Sequence, residues 1–468
     1  MIKNIMYDTD SYNDSHYLMY PDNTQSISGY MEPRSNSIFN RVMFFGLQYY
    51  IKEYLLDIED QMTQKNVLKA ERAWNAHGLP FNRTAWEALR DDLDCKLPVE
   101  IQAVAEGSWV HKDNVVIQMQ STDEQFFWLP TWLETTLVQN WFPCTVATSD
   151  KDLKLVIEDY LIKTGCENID AVLPFMVHDF GFRGASSYET ACIGGAAHLV
   201  NFMGSDTFPA ILFINEYYSK LADSERMWGY SIPASNHAVI TAWGKPKEFD
   251  AYQHIINTFL KEGKLVACVS DSYDFWAAID AWGTQFRAQI IKSGGRLVVR
   301  PDSGDPVDIS VQALLKLMGY FGYTLTKTGF KLLPNCIRLI WGDGTNPAII
   351  ERVLRAMADN GLAAENIVFG MGAALLQKVD RDMCIFAFKI NEEIVNGKCM
   401  AVNKNPVTGR GKASKPHRLA LVIRDGRYVT IPEAELGNEE NQLLTVFKNG
   451  ELLIDWDFEE IRERAKIK

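Results

Sequence analysis

No Cys-x-x-Cys pair occurs among the 468 residues, although eight cysteines are present: Cys95, Cys144, Cys166, Cys192, Cys268, Cys336, Cys384 and Cys399. Scattered in this way, they fit buried free thiols in a reducing compartment, not a disulfide framework or a zinc site. An uninterrupted apolar run approaching the roughly 20 residues of a membrane span is also missing. The opening MIKNIMYDTDSY is polar and acidic, unlike a secretory signal. The expected location is therefore cytoplasmic, with no membrane partner. Positive charge is in deficit. The 47 Lys and Arg residues face 60 Asp and Glu, a formal net charge of -13. That argues against nucleic acid as the main partner, because a phosphate backbone demands a basic face. A small anionic substrate held by a few local cations remains compatible. Neither a short repeat of solenoid length nor a low-complexity stretch is found.

What is present is the material of a large folded protein. Apolar residues make up 47% and charged residues 23%, ordinary values for a globular chain of two or three domains. Between about residues 168 and 380, short β-rich runs recur at the spacing of βα units: Leu265–Val269, Leu297–Val299, Ile337–Trp341 and Ile367–Phe369. Amphipathic helical patterns lie between them. One opens at Asn346-Pro347, carries Ile349, Ile350, Val353, Leu354 and Met357 on one face, and stops at Asn360-Gly361. Apolar strands alternating with such helices predict a parallel sheet covered by helices.

Each strand runs into small or charged residues: Ser270-Asp271-Ser272-Tyr273-Asp274, Arg300-Pro301-Asp302-Ser303-Gly304, Gly342-Asp343-Gly344 and Gly370-Met371-Gly372. In a barrel these turns would gather at the carboxyl-terminal face, where active sites lie. Their glycines allow backbone N–H groups to approach a phosphate closely. The flanks differ in character. Residues 28–167 are rich in Trp and charge, and 381–468 read as strands and turns ending in a helix from about Asp457. Together they predict a second, α+β domain beside an α/β unit over 168–380.

Several ordered segments carry a family resemblance. They are Thr9-Asp10-Ser11-Tyr12 with His16-Tyr17, Phe45-Gly46-Leu47-Gln48-Tyr49, His178-Asp179-Phe180-Gly181-Phe182-Arg183-Gly184, and Gly204-Ser205-Asp206-Thr207. Ser231-Ile232-Pro233-Ala234-Ser235-Asn236-His237 follows, then the strand-end turns above and Leu375-Leu376-Gln377-Lys378. In this order they resemble the nicotinamide phosphoribosyltransferases over nearly the whole chain. The resemblance implies an irregular (β/α) barrel with a second α+β domain built from N- and C-terminal segments. It also implies a homodimer with shared active sites, into which the N-terminal segment 1–27 reaches.

The implied reaction joins nicotinamide to phosphoribosyl pyrophosphate, with Mg2+ accompanying the pyrophosphate and ATP as co-substrate. The resemblance places Phe180 on one face of the pyridine and Tyr12 of a second subunit on the other. Asp206 would accept the carboxamide N–H and repel nicotinate. Taken alone, Asp206-Thr207 reads equally as the start of a helix. Arg183, Arg300 and Arg381 match phosphate contacts, joined by Lys389 and Arg34, and Arg suits the task because its planar fork holds two oxygens. Asp302, Asp343, Gly342, Gly372, Ala373 and Asp10 fall to the ribose and nucleotide. His237 is the expected phosphate acceptor from ATP, with Asp274 as its orienting carboxylate, and Asp302 is counted with them as catalytic. The basic stretch Lys404, Arg410, Lys412, Lys415 and Arg418 reads as a phosphate channel or a solvated loop. No dedicated metal cage is visible.

Two positions depart from the family pattern. Asn236 stands where Glu usually precedes the histidine, and Asn supplies no negative charge to raise imidazole basicity. The glycine run after Phe369 is shortened to Gly372-Ala373-Ala374, which serves a phosphate if the turn avoids positive φ. The competing readings are a nicotinate phosphoribosyltransferase, a sugar-phosphate isomerase or lyase on a barrel, and a non-catalytic binding protein. Asp206 speaks against the first, and the retained charged residues against the last.

Overall fold

A computed structural model describes residues 3–220, 226–405 and 413–467. The principal strands are, in chain order, β1 (Thr24–Glu32), β2 (Val99–Ala103), β3 (Ile117–Ser121), β4 (Val177–Asp179), β5 (Gly204–Ser205), β6 (Leu265–Val269), β7 (Arg296–Arg300), β8 (Ile337–Trp341), β9 (Ile367–Met371), β10 (Ala387–Val395), β11 (Lys398–Ala401), β12 (Leu419–Arg424), β13 (Arg427–Pro432), β14 (Leu444–Lys448) and β15 (Glu451–Leu452).

The chain forms two compact units. One comprises residues 1–148, 214–224 and 380–468, the other 149–213 and 225–379. These differ from the sequence boundaries at 28–167, 168–380 and 381–468. The crossings after residues 148 and 213 fall inside helices, Trp141–Lys163 and Phe208–Tyr218, so no linker marks either of them.

The second unit is built on six parallel strands in the order β5-β4-β9-β8-β7-β6. The four apolar runs expected as strands all lie in this sheet, because Val, Ile and Leu buried on both faces suit a sheet covered by helices. The helix Pro347–Asp359 follows its sequence signals closely. Asn346 accepts a hydrogen bond from the Ile349 N–H, Pro347 occupies the first turn, and Gly361 sits at φ +69 beyond the end. Among the described residues the six strands make a half-barrel sheet. The segment 230–234 makes one parallel bridge at each edge, Tyr230 to Gly204 and Ala234 to Ala267. The inner face holds Ala267, Val298 and Ile340, with Phe180, Ile232 and Val368 packed on them.

The first unit holds a seven-stranded antiparallel sheet, β11-β10-β1-β3-β2-β14-β15, and the separate hairpin β12–β13. Tryptophans dominate its core: Trp86 packs edge-on against Trp128 and Trp132. Two indole N–H groups of this core bond the N-terminal segment. Trp132 donates to the Ile5 carbonyl and Trp74 to the Met6 carbonyl, both at 2.8 Å, which ties the N-terminal segment to this core. The last helix, Phe458–Ala465, starts with a reciprocal cap between Asp457 and Glu460.

Candidate active site

Every parallel strand of the second unit ends on a residue named from the sequence, as expected where ligands bind outside the carboxyl ends of such strands. β4 delivers Phe180, whose N–H bonds the Met371 carbonyl at the end of β9. The ring packs against Gly370. A Cβ built there would come 2.0 Å from it, so this glycine is required by close approach. Gly342, at the end of β8, lies between the Phe180 ring and the Asp302 carboxylate, with ideal-Cβ distances of 3.5 and 3.7 Å. Asp343 follows, exposed, its carbonyl accepting from the Trp341 indole at 2.7 Å.

β5 delivers Asp206. Its N–H bonds the Asp179 carbonyl, and its carboxylate accepts from the Ser231 hydroxyl. His178 stands close by. Burial pushes its pKa down to about 4 although the Asp206 charge pulls the other way, so it is neutral near pH 7. A second buried histidine holds this short strand. His198 lies 2.6 Å from Asp150 and 3.1 Å from the Gly204 carbonyl. Burial opposes its charge, but Asp150 and Asp179 keep its pKa above the ordinary value. An imidazolium donating from both nitrogens satisfies both acceptors at once.

His237 opens the helix His237–Thr241. Its Nε2 is 3.0 Å from Asp271 Oδ1 and its Nδ1 is 3.8 Å from Asp302 Oδ2. The imidazole is 45% exposed while Asp271 is 4% exposed, a fixed carboxylate behind an accessible ring. Asp271 is itself held: its Oδ2 accepts from the Asp302 N–H and the Ser303 hydroxyl. The orienting carboxylate is therefore Asp271, which corrects the assignment to Asp274. Asp274 caps the helix Phe275–Gly283, accepting from the Ala277 N–H at 3.0 Å. Asn236 has a similar task at the helix of His237, accepting from Val239 N.

Arg300 makes a two-pronged pair with Asp302, at 2.9 and 3.3 Å. Arg183 is exposed in the turn Phe182–Gly184 and has no ion pair among the described residues. That turn packs on Ala373, which an ideal Cβ on Gly184 would meet at 2.9 Å. Ala373 and Ala374 are helical, and neither has positive φ, so the shortened glycine run keeps its backbone N–H groups without strain.

The remaining named residues belong to the first unit. Tyr12 is exposed in the turn Ser11–Leu18, edge-on to His16. Asp10 is anchored at both its N–H and its carboxylate by Thr135. Lys389 on β10 pairs across the sheet with Tyr30. Burial lowers its pKa; Glu134 opposes this, while Lys404, Arg34 and Arg381 add to it. Those four cations thus share one neighbourhood, which also feels Asp10 through Glu134. Arg34 donates to the Ala413 carbonyl, and Arg381 lies 3.9 Å from Asp382. Of the basic stretch, Lys415 pairs with Glu32 and Arg418 with Glu433. Arg410 and Lys412 lie outside the described residues.

Sequence reasoning missed Asp271, Ser231, His198, Asp150 and Glu134. The first two sit inside motifs that had been noticed, and only geometry selects them. The other three carry no local signal.

Carboxylates beside arginines at the ends of parallel strands suit a phosphorylated sugar, and the fold agrees. It is that of the type II phosphoribosyltransferases. The nicotinate-nucleotide pyrophosphorylase from Pyrococcus furiosus matches with TM-score 0.60 at 15% identity, covering 99% of this chain and 95% of that one. Human nicotinic acid phosphoribosyltransferase matches with TM-score 0.53 at 16% identity, covering 98% and 93%. In sequence, residues 175–451 match the nicotinate phosphoribosyltransferase (NAPRTase) family, and residues 4–101 the nicotinamide phosphoribosyltransferase N-terminal domain. The nicotinamide phosphoribosyltransferase of Xanthomonas campestris pv. campestris (strain 8004) is 43% identical over 472 residues, covering 99% of this chain and 98% of its own. That of Acinetobacter baylyi is 30% identical, covering 97% and 95%. The chain belongs to the nicotinate phosphoribosyltransferase family, and to the nicotinamide phosphoribosyltransferases within it. Among the described residues, no helix is long and apolar enough to cross a membrane.

Proposed function

We propose that this enzyme makes nicotinamide mononucleotide and pyrophosphate from nicotinamide and phosphoribosyl pyrophosphate. The reading is carried by the convergence of Phe180, Asp206, Asp302 and His237 on one end of a single parallel sheet. The pyridine lies on Phe180, and its carboxamide N–H is accepted by Asp206. Neutral His178 adds no charge that would attract a carboxylate in its place. The ring nitrogen attacks the anomeric carbon as the bond to pyrophosphate breaks. Asp302 and Asp343 bind the ribose hydroxyls and favour the positive charge that develops on the sugar. Arg183, and Arg300 when its pair with Asp302 opens, hold the phosphates. Magnesium bound to phosphoribosyl pyrophosphate would supply the charge that neutralises the leaving group.

His237 carries the coupling to ATP. With Nε2–H directed at Asp271, the Nδ1 lone pair is the nucleophile. It bonds to the γ-phosphorus as the oxygen bridge to ADP breaks, and hydrolysis later returns the free imidazole. The sites are completed across a homodimer, with Tyr12 and the cations around Lys389 supplied by the partner chain. Such sharing accounts for an exposed tyrosine and a cluster of cations around Lys389 in the unit that lacks Phe180 and Asp206.

The test is a panel of nicotinamide, nicotinate and quinolinate, each with phosphoribosyl pyrophosphate, with and without ATP. Product is expected with nicotinamide alone. In Asp206→Asn the preference for nicotinamide over nicotinate should fall by at least tenfold, about 1.4 kcal/mol. An unchanged ratio would remove Asp206 from its role, and turnover of nicotinate by the parent enzyme would replace the proposal with its nearest rival.

A further inference from the structure

Far from the strand ends of the second unit in sequence, three side chains of the first unit converge on one point. Glu392 lies on β10 and Cys399 on β11, joined by a tight hairpin whose register pairs Ile394 with Cys399 and Glu392 with Ala401. Strand side chains two apart share a face, so Glu392 and Cys399 are diagonal neighbours on one side of the ribbon. His417 reaches the same point from the segment before β12. Its Nδ1 is 3.3 Å from Glu392 Oε2 and 3.9 Å from Cys399 Sγ. All three atoms lie within 4.8 Å of one another, and this is the only such trio among the described residues.

The imidazole is held in place by its backbone. His417 has φ +60, a left-handed conformation that costs a non-glycine residue of order 1 kcal/mol and needs support from its surroundings. Buried Asn391 provides that support. Its carbonyl accepts the His417 N–H at 2.8 Å, and its side-chain amide donates to the His417 carbonyl at 2.5 Å. A catalytic relay would use the two ring nitrogens on opposite sides. Here one nitrogen faces both the carboxylate and the sulfur, which is the geometry of ligands around a shared centre. With metal–ligand bonds of about 2.0–2.3 Å, a tetrahedral zinc ion would set nitrogen and oxygen about 3.3 Å apart, and nitrogen and sulfur about 3.6 Å. The observed separations lie within a few tenths of an ångström of both values.

We propose that Glu392, Cys399 and His417 form a site for a borderline divalent metal ion of the Zn2+ class. The set of thiolate, imidazole and carboxylate selects such an ion over Mg2+ or Ca2+, which take oxygen ligands. Binding releases the Cys399 proton to solvent, and water fills the fourth position. The ion joins the segment before β12 to the β10–β11 hairpin. The site is independent of the magnesium that accompanies the sugar donor.

The full-length protein, stripped with a chelator, would be titrated with Co2+ as an optical probe and then with Zn2+ as competitor. One equivalent should produce a thiolate-to-cobalt charge-transfer band, which Zn2+ abolishes and millimolar Mg2+ does not. Cys399→Ser should lose the band. His417→Ala should weaken Zn2+ binding by at least the ~10–100-fold that loss of an outer-shell partner costs. Cys336→Ser, a half-buried cysteine elsewhere, should leave both unchanged. Independently, Zn2+ should protect Cys399 from alkylation, read by mass spectrometry of the intact protein. A band that persists in Cys399→Ser, or no band at stoichiometric cobalt, would overturn the proposal.

Discussion

Asp271 and Asp274 stand three residues apart in one motif and do different work. Asp271 is buried against His237 and bonded to the Asp302–Ser303 turn, whereas Asp274 caps a helix. Radiolabel from γ-labelled ATP should therefore appear on the parent protein, vanish in His237→Ala and drop sharply in Asp271→Asn. In Asp274→Ala it should persist, with a loss of about 1 kcal/mol in stability from the missing cap. Label lost equally in both aspartate variants would contradict the assignment. Glu106 supports a second residue-scale prediction. It is fully buried and accepts N–H groups from Gly46 and Gln48 at 3.0 and 2.7 Å. Burial nonetheless pushes its pKa up to about 7. A carboxyl whose folded pKa exceeds its unfolded value favours folding fully below about pH 4.5, and that contribution is lost as pH rises through 7. The stability difference between the parent and Glu106→Gln should thus shift against the parent by about 3 kcal/mol between pH 4.5 and 8. Denaturant titrations at a series of pH values measure it, and a flat difference would show that Glu106 is not the titrating group.

At the scale of elements, the parallel strands and the helix Pro347–Asp359 were legible because their signals are local: apolar runs, an Asn-Pro start and an Asn-Gly stop. The same locality made the strand-end turns readable as candidate ligand-binding turns before any of them was placed. Locality failed for β5, only two residues long and held by His198 from the helix Tyr188–Leu199, and for the bridging segment 230–234, which has no strand period at all. The contact between β9 and Phe180 is similarly non-local, and it yields a sharp test. Gly370→Ala places a methyl group on the ring. Overpacking of this kind costs about 1–3 kcal/mol, and the displaced ring should raise KM for nicotinamide more than KM for phosphoribosyl pyrophosphate. Equal changes in both would mean that the ring does not contact the pyridine.

At the scale of the whole molecule, the residues named for one reaction divide between two compact units: Phe180, Asp206, His237 and Asp302 in one, Tyr12, Arg34, Arg381 and Lys389 in the other. If each site draws on two subunits, then Tyr12→Ala and Asp206→Ala proteins, inactive apart, should regain activity when co-expressed. Random pairing gives half of the dimers as heterodimers, each with one intact site, so about a quarter of parental activity is expected. Failure to complement, with heterodimers present, would place each site within a single chain.

Periodicity, turn chemistry and an ordered motif set were enough to reach a helix-covered parallel sheet and a phosphoribosyl-transfer family, because each is written in residues close together along the chain. Which aspartate meets His237, which helices cross between the units, how the sheet curves, and how Glu392, Cys399 and His417 meet were settled only by folding. Those outcomes depend on contacts between residues tens to hundreds of positions apart, and the spacing of residues along a chain carries no record of such distances.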